Sequence, residues 1–266
     1  KETHVLAFRV PEKWLRSIRQ RWAELGIKIP IEATGHRRED LVEFVRGLNP
    51  TEEEPVTVVM ATPNDERRLR QVVRNRSLLR IRQALLSVPG VVVASVPYLP
   101  DLEPPLAQLR APGRLSIVVV VSAVQQATLR ALSYATSLRP SELKALSVAL
   151  DPEDAVKLTD EWERVGIDIP LEVVDSPFRS LTRPLLSEIR KLSPNPNDAV
   201  GVVIPEPVVK GWLWKPLHGQ RALLIKAALL FEQHVLVFDV PYQVGLARSP
   251  APKPGEPAEA AERPGG

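Results

Sequence analysis

Two arginines four residues apart form the clearest candidate site in this sequence. Arg179 and Arg183 stand at the predicted start of a helix and share one of its faces, because residues four apart are neighbours on a helix surface. Guanidinium groups beside the free N–H groups of a helix start can hold a phosphate or a carboxylate. The pattern therefore predicts an anion site, and a solvated helix face is the alternative interpretation.

Further candidate ligand residues follow predicted strands in the same half of the chain. They are Ser122, Ser176, Phe178, Glu206, His218 and Gln220. Ligands of open parallel sheets bind beyond the carboxyl ends of the strands, so we expect these side chains to gather at one edge. His218 is a candidate ligand contact or proton donor, with helix capping or packing as the alternative. Glu206 has no second carboxylate at a reliable spacing, which gives acid–base catalysis little support.

The sequence contains none of the common catalytic or metal-binding patterns. There is no G-x-S-x-G, no H-E-x-x-H and no P-loop. Cysteine is absent, which excludes disulfides, thiolate metal sites and a cysteine nucleophile. The four histidines are scattered without metal-ligand spacing. We therefore predict no catalytic residue, no bound metal and a protein that is not an enzyme.

The elements that would position the candidate residues occur twice. Residues 21–32 return as residues 161–172, with six of twelve positions identical, and Val91–Tyr98 returns as Val235–Tyr242. The spacing is 140 residues for the first pair and 144 for the second. A period this long indicates a duplicated domain and not a solenoid. The shared Trp-x-x-x-Gly-Ile-x-Ile-Pro segment is predicted to be scaffold, which leaves function to the loops of the second half or to the junction between the halves.

Strand and helix patterns alternate along both halves. Leu115–Val121 is a β-branched run typical of a strand buried on both faces. Helices are predicted at 127–136, 152–165, 180–192 and 221–230, and the alternation predicts an α/β fold with a doubly wound parallel sheet. The first half aligns only from its second strand onward, so its opening strand and helix have no counterpart. Either the chain is cut inside its first repeat, or another segment fills the place.

Composition and charge set the expected domain organisation. We expect a first, incomplete repeat over 1–100, a proline-rich linker over 101–114, a second, complete repeat over 115–245 and a disordered tail over 246–266. The net charge is +3, with the two signs interspersed, which does not favour nucleic-acid binding. No apolar run reaches the roughly 18 residues that span a bilayer, so this segment is not expected to insert into a membrane.

The second half resembles the cytoplasmic C-terminal domain of certain bacterial permeases of the amino acid–polyamine–organocation superfamily. The matching stretches are Leu129–Ala135, Asp160–Glu163, Ser176–Leu181, Val202–Glu206, Leu217–Gln220 and Val240–Tyr242. The resemblance covers about half of the chain and implies a universal-stress-protein-like fold, here as two tandem repeats. ATP-binding members of that fold carry G-x-x-G-x9-G-[ST] after strand four, whereas Pro205–Gly211 stands at this place and disfavours ATP.

The resemblance also implies a function and partners. We expect a cytosolic regulatory or assembly module of an integral permease for an amino acid or a cation, placed on the cytoplasmic side of the membrane. Its partners would be its own upstream transmembrane domain and a second copy, or the chain would pair internally as a pseudo-dimer. Related potassium importers bind cyclic di-AMP between paired domains of this kind. The alternative is a free-standing stress-protein-like module that binds ATP, AMP or cyclic di-AMP.

Overall fold

The first half of the chain contributes four strands and three helices. A computed structural model describes residues 2–24, 26–63, 76–98, 113–149, 151–175, 182–192, 198–209, 225–226, 228–229, 232 and 234–244. The elements of the first half are β1 (Val5–Ala7), α1 (Glu12–Glu24), β2 (Ile31–Ala33), α2 (Arg38–Gly47), β3 (Val56–Pro63), α3 (Arg76–Leu86) and β4 (Val91–Tyr98).

The second half contributes five strands and three helices to the described part of the chain. They are β5 (Leu115–Val120), α4 (Gln126–Ser137), β6 (Glu142–Ala149), α5 (Pro152–Val165), β7 (Leu171–Asp175), α6 (Thr182–Lys191), β8 (Ala199–Val209) and β9 (Val235–Val244). The predicted helix at 221–230 is described only at 225–226 and 228–229, where the backbone is helical. None of the described helices is both long and apolar enough to span a membrane.

The strands form one large sheet and one small one. Seven strands pair in the order β3-β4-β9-β8-β5-β6-β7, and β1 pairs with β2 in a separate two-stranded sheet. All of these pairs are parallel except β4–β9, which is antiparallel. The predicted α/β class with a mostly parallel sheet is confirmed. The expectation of one strand direction throughout is wrong, because the two halves meet through the antiparallel pair.

Strand registers recur at the spacings of the sequence repeat. Val5 pairs with Ile31 in β1–β2, and Ala145 pairs with Leu171 in β6–β7, so both partners are shifted by 140 residues. In the same way, the β3–β4 register recurs in β8–β9 with a shift of 144 residues. The repeated sequence therefore forms the same strand pairs in both halves.

Helices cover both faces of the large sheet in the second half. Successive residues of a strand point to opposite faces: Ile117 and Val119 of β5 pack with α4 and α5, whereas Val118 packs with α6. Val92 and Ala94 of β4 belong to the same cluster as Ile117, so this core includes residues from both halves. Such two-sided burial explains why β5 reads as a continuous apolar run.

The first half is divided between the two sheets. Its strands β3 and β4 extend the sheet of the second half, while β1 and β2 stand apart, which differs from the expected self-contained repeat over 1–100. β1 still contacts the core of β3 and β4, because Leu6 and Phe8 pack against a cluster that contains Val91 and Val93. The predicted linker lies outside the described residues from 101 to 112, and the predicted tail lies wholly outside them.

Candidate functional site

Three of the eight predicted ligand residues fall in the described part of the chain. Ser122 is exposed just beyond the end of β5, and Arg183 is exposed near the start of α6. Glu206 is half-buried within β8. The other five, Ser176, Phe178, Arg179, His218 and Gln220, lie outside the described residues. The predicted gathering of these side chains therefore stays a prediction.

Glu206 lies inside a strand and not in the predicted loop. β8 continues to Val209 because β9 pairs with it along its whole length, up to Val209 with Val244. On its other side β8 is paired with β5 only as far as Val203. The prolines at 205 and 207 thus lie where one edge of β8 is open, and a strand tolerates the missing N–H groups there.

A cluster of four charged side chains surrounds this part of β8 and β9. The Lys226 Nζ lies 2.7 Å from the Glu206 Oε2 and 2.8 Å from the Asp239 Oδ1. Arg82 of α3 forms an ion pair with Asp239, and its Nη1 donates to the Ser95 Oγ at 3.0 Å. Because Arg82 and Ser95 belong to the first half and the other three residues to the second, the cluster joins the two halves.

The cluster is buried, and its formal charges cancel. The side chain of Asp239 is 0% exposed, and that of Lys226 is 12% exposed. Burial lowers the pKa of the Lys226 ammonium, and the Glu206 carboxylate opposes this effect. Burial likewise lowers the pKa of Arg82, again against the attraction of Glu206. A buried charge needs such partners, since removing one leaves another uncompensated.

The β4–β9 junction is symmetric within the repeat. Ala94 pairs with Phe238, its own counterpart 144 residues later, and the flanking pairs are Val93 with Asp239 and Ser95 with Val237. A local two-fold axis therefore passes through the Ala94–Phe238 pair. Arg82 and Lys226 are also counterparts, and so are Ser95 and Asp239, so only the second half supplies the acid.

The cluster was not identified from the sequence, although a signal was present. Ile81–Leu86 and Ile225–Leu230 read Ile-Arg-Gln-Ala-Leu-Leu and Ile-Lys-Ala-Ala-Leu-Leu, with a basic residue at the same position. A cation repeated in an otherwise apolar helix stretch indicates a buried acidic partner. The partner lies on the antiparallel neighbour strand, and only the sheet order shows this.

A second candidate site is an open cleft in the first half, with a volume of about 340 Å³. It lies beyond the carboxyl ends of β1 and β2, at the start of α2 and beside α3. Its lining residues are Arg9, His36, Arg37, Arg38, Glu39, Arg80 and Ile81. Residues 36–39 stand 140 positions before Ser176–Arg179, so the cleft occupies the place at which the anion site was predicted in the other half.

Hydrogen bonds hold the lining of this cleft in place. Arg9 has a positive φ of 58°, and its Nε donates to the His36 carbonyl at 2.8 Å, which ties the end of β1 to the loop before α2. The Arg37 backbone N–H and guanidinium donate to Asp40, whose pKa this backbone bond, followed by the side chain, lowers. Glu39 accepts from its own backbone N–H and from Arg38, and its pKa is lowered as well.

The charges of the cleft suit an anionic ligand. Four arginines line it, whereas Glu39 is the only carboxylate in its lining. The start of α2 adds backbone N–H groups and the positive end of the helix dipole. Sequence reasoning noted His36–Glu39 only as a changed loop, because the contribution of Arg80 from α3 is visible only in the fold. The described residues contain no group of three or more His, Asp or Glu that could hold a metal ion.

Comparisons with known proteins identify transporter domains. A family model described as "KimA potassium transporter C-terminal domain" matches residues 1–98 and 113–242. The potassium transporter KimA of Bacillus subtilis strain 168 is 26% identical over 129 residues, which are 47% of this chain and 21% of that protein. The chain thus aligns with about a fifth of the length of this curated relative.

A solved structure with a related arrangement is the cytoplasmic domain of a prokaryotic cation chloride cotransporter. The alignment covers 88% of this chain and 82% of that chain, at 14% sequence identity and a TM-score of 0.38.

Proposed function

The chain belongs to the family of KimA potassium transporter C-terminal domains, and on that premise we propose that it is a regulatory or assembly module of a membrane transporter. The single observation that carries the proposal is the family match, which extends over both halves of the chain. The module acts on the cytoplasmic side of the membrane, and its first partner is the transmembrane part of the same transporter. It performs no catalytic step.

The finer details of the proposal concern the transporter and the fold. The name of the Bacillus relative favours potassium over an amino acid as the transported solute. The transporter is of the amino acid–polyamine–organocation type, and the two halves are universal-stress-protein-like repeats. The recurring strand registers and the shared sheet support an internal pseudo-dimer, in which one chain provides both members of the pair.

The regulatory signal that we propose is a small anionic ligand, with cyclic di-AMP or another adenine nucleotide as the class. The arginine-lined cleft supports this choice, because it offers positive charge and a helix start where parallel sheets place their ligands. The residues predicted in the second half, including Arg179 and His218, are the alternative location. A free-standing nucleotide-binding module is the second candidate function, and it rests on the same cleft.

The longer reading frame tests the transporter proposal. We expect about ten to twelve apolar segments of spanning length in front of this domain. A frame that encodes the present domain alone, or joins it to another soluble domain, would reject the proposal and leave the free-standing module.

Titration calorimetry with cyclic di-AMP, AMP, ATP and inorganic phosphate tests the ligand. We expect binding of at least one of them, and about a tenfold loss of affinity in Arg80→Ala, since one charge-assisted contact contributes roughly 1.5 kcal/mol. Arg16→Ala, in α1 and outside the cleft lining, is the matched control. Binding that Arg179→Ala and His218→Ala abolish and Arg80→Ala spares would place the ligand in the second half instead.

A further inference from the structure

Two strands of the first half have open edges that their counterparts in the second half do not have. In the second half, β5 lies between β6 and β8 and pairs with both in parallel. Among the described residues, the counterpart of β6, which is β1, pairs only with β2, and the counterpart of β8, which is β3, pairs only with β4. One strand is therefore missing between β1 and β3.

The hydrophobic core of the first half also shows the gap. Leu6 of β1 and Val58 of β3 pack against the same cluster without a strand between them. Their counterparts, Leu146 and Val202, share a cluster in which Val118 of β5 stands between the two strands. The first half thus retains both walls of the position that β5 fills in the second half.

One sheet face next to this gap is uncovered. Val59 of β3 is 64% exposed, whereas its counterpart in β8, Val203, is 0% exposed. Val203 is buried in the cluster that contains Ala131, Leu132 and Ala135 of α4. The first half has no described helix in the place of α4. An exposed valine on a strand with an open edge is a ready site for pairing with another segment.

We propose that the gap between β1 and β3 receives a parallel β-strand followed by a helix, both of the β5–α4 type and joined in front of Lys1. The strand completes the sheet between β1 and β3, and the helix covers Val59. The position of Lys1 supports this occupant, because Lys1 corresponds to Ser141, which lies four residues beyond the end of α4 at Ser137. A strand–helix segment therefore needs no linker to enter the gap.

The gap differs from the position of β5 at one point, and this sets a preference for the occupant. A Cβ placed on Gly201 of β8 would meet the Ile117 side chain at 2.4 Å. The counterpart of Gly201 is Thr57, whose hydroxyl already bonds to Tyr134 at 2.9 Å. The strand that enters the gap must therefore carry a smaller residue than isoleucine where it faces Thr57.

The test joins a second copy of residues 114–140 directly in front of Lys1 of the complete chain, with Ile117→Ala in that copy only. The alanine suits Thr57 and leaves a void above Gly201, so the added copy is unlike the native β5 and does not replace it. Hydrogen exchange of the β3 amides is the readout. We expect exchange to slow by about tenfold or more.

The matched control carries Val118→Pro and Val120→Pro in the added copy, because two prolines prevent strand pairing. Equal exchange of β3 in the test and control chains overturns the proposal. Concentration-dependent protection of β3 in the unmodified chain, together with dimers in sedimentation, also overturns it, since a second copy would then fill the gap.

Val59 provides an independent measurement. Val59→Ser is expected to leave the urea midpoint of the unmodified chain unchanged, because the side chain is exposed, and to remove most of the added protection in the extended chain. An equal effect in both chains contradicts the proposed cover over Val59. This inference does not depend on the transporter proposal, so the two fail separately.

Discussion

Asp239 is the residue on which the contact between the two halves depends most. It is fully buried, it is paired with one cation from each half, and its counterpart Ser95 cannot replace its charge. The acid could not be assigned from the sequence, because a lone Asp in an apolar strand does not reveal which cations face it. The repeated position of Arg82 and Lys226 was the part that the sequence could have shown.

Asp239→Asn is expected to destabilise the protein by about 3–5 kcal/mol, because it leaves two buried cations with Glu206 as their remaining acid. Urea unfolding followed by circular dichroism measures the change. Glu153→Gln is the matched control, since Glu153 is exposed on α5 and 3.9 Å from Lys157, and a surface pair contributes less than about 1 kcal/mol. Similar midpoints for the two variants would contradict a central role of the cluster.

Tyr134 links pH to the same junction. Burial raises the pKa of this phenol to about 12, and the hydrogen bond to Thr57 opposes the shift. Between pH 10 and 12 the folded protein therefore keeps a proton that the unfolded chain loses, and stability falls as the pH rises through this range. The loss is on the order of 2 kcal/mol.

Tyr134→Phe removes this titration. We expect the variant to be less stable near pH 7 by about 1 kcal/mol, because the Thr57 hydroxyl loses its partner. The deficit is expected to shrink above pH 10 as the wild type loses its advantage. Unfolding free energies measured at pH 7, 9, 10 and 11 check this, and curves that stay parallel would show that Tyr134 does not titrate as described.

The elements divide into those that local sequence determines and those that it does not. Helix α5 begins after Asp151, whose side chain accepts from the Glu153 N–H, and ends at Gly166 with φ of 71°, as the sequence predicted. Its Trp162 donates to the Ile169 carbonyl, and Trp22 donates to Ile29 in the same way. The shared Trp-x-x-x-Gly-Ile-x-Ile-Pro segment is thus one local structure formed twice.

The length of β8 was not predictable, because it depends on a distant partner. The sequence ends the strand at its first proline, while pairing with β9 extends it to Val209. The cleft in the first half was missed for a similar reason: Arg9 and Arg80 reach it from elements that are far from α2 in sequence. Local rules identify caps and helix ends, but not contacts between separate elements.

Gly166→Ala is expected to cost about 1 kcal/mol, since an added Cβ meets nothing within 4 Å and only the left-handed backbone opposes it. Gly47→Ala is the matched comparison: it also meets nothing within 4 Å, lies in helix α2 and has no positive φ. We expect it to stabilise the protein by up to about 1 kcal/mol. Thermal unfolding of both variants measures the contrast, and equal shifts would contradict it.

At the scale of the whole molecule, the repeat alone could not show how the halves meet. The sequence predicts strands and helices for each half, yet it is silent on whether the sheets stay apart or join. The antiparallel β4–β9 pair joins them and leaves β1 and β2 outside. The core around β1 and β2 contains only Ala7, Leu15 and Ile31 as buried residues, which predicts unequal stability across the chain.

Two variants that each retain one tryptophan are expected to unfold at different urea concentrations. Trp22 packs on the small cluster of the two-stranded sheet, and Trp162 is buried in the large core. Because small isolated sheets are marginally stable, Trp22 fluorescence should change at a concentration lower by on the order of 1 M urea. Coincident transitions would show that the molecule unfolds as one cooperative unit.

The reversal of direction at β4–β9 separates two rims of the molecule. The carboxyl ends of β3 and β4 lie along one rim, and those of β5 to β9 lie along the opposite rim, because every other neighbouring pair in the large sheet is parallel. One small ligand cannot touch the loops of both rims at once. A signal that concerns both halves must therefore cross the width of the sheet, and the shortest route passes through the ion pairs at the local two-fold axis.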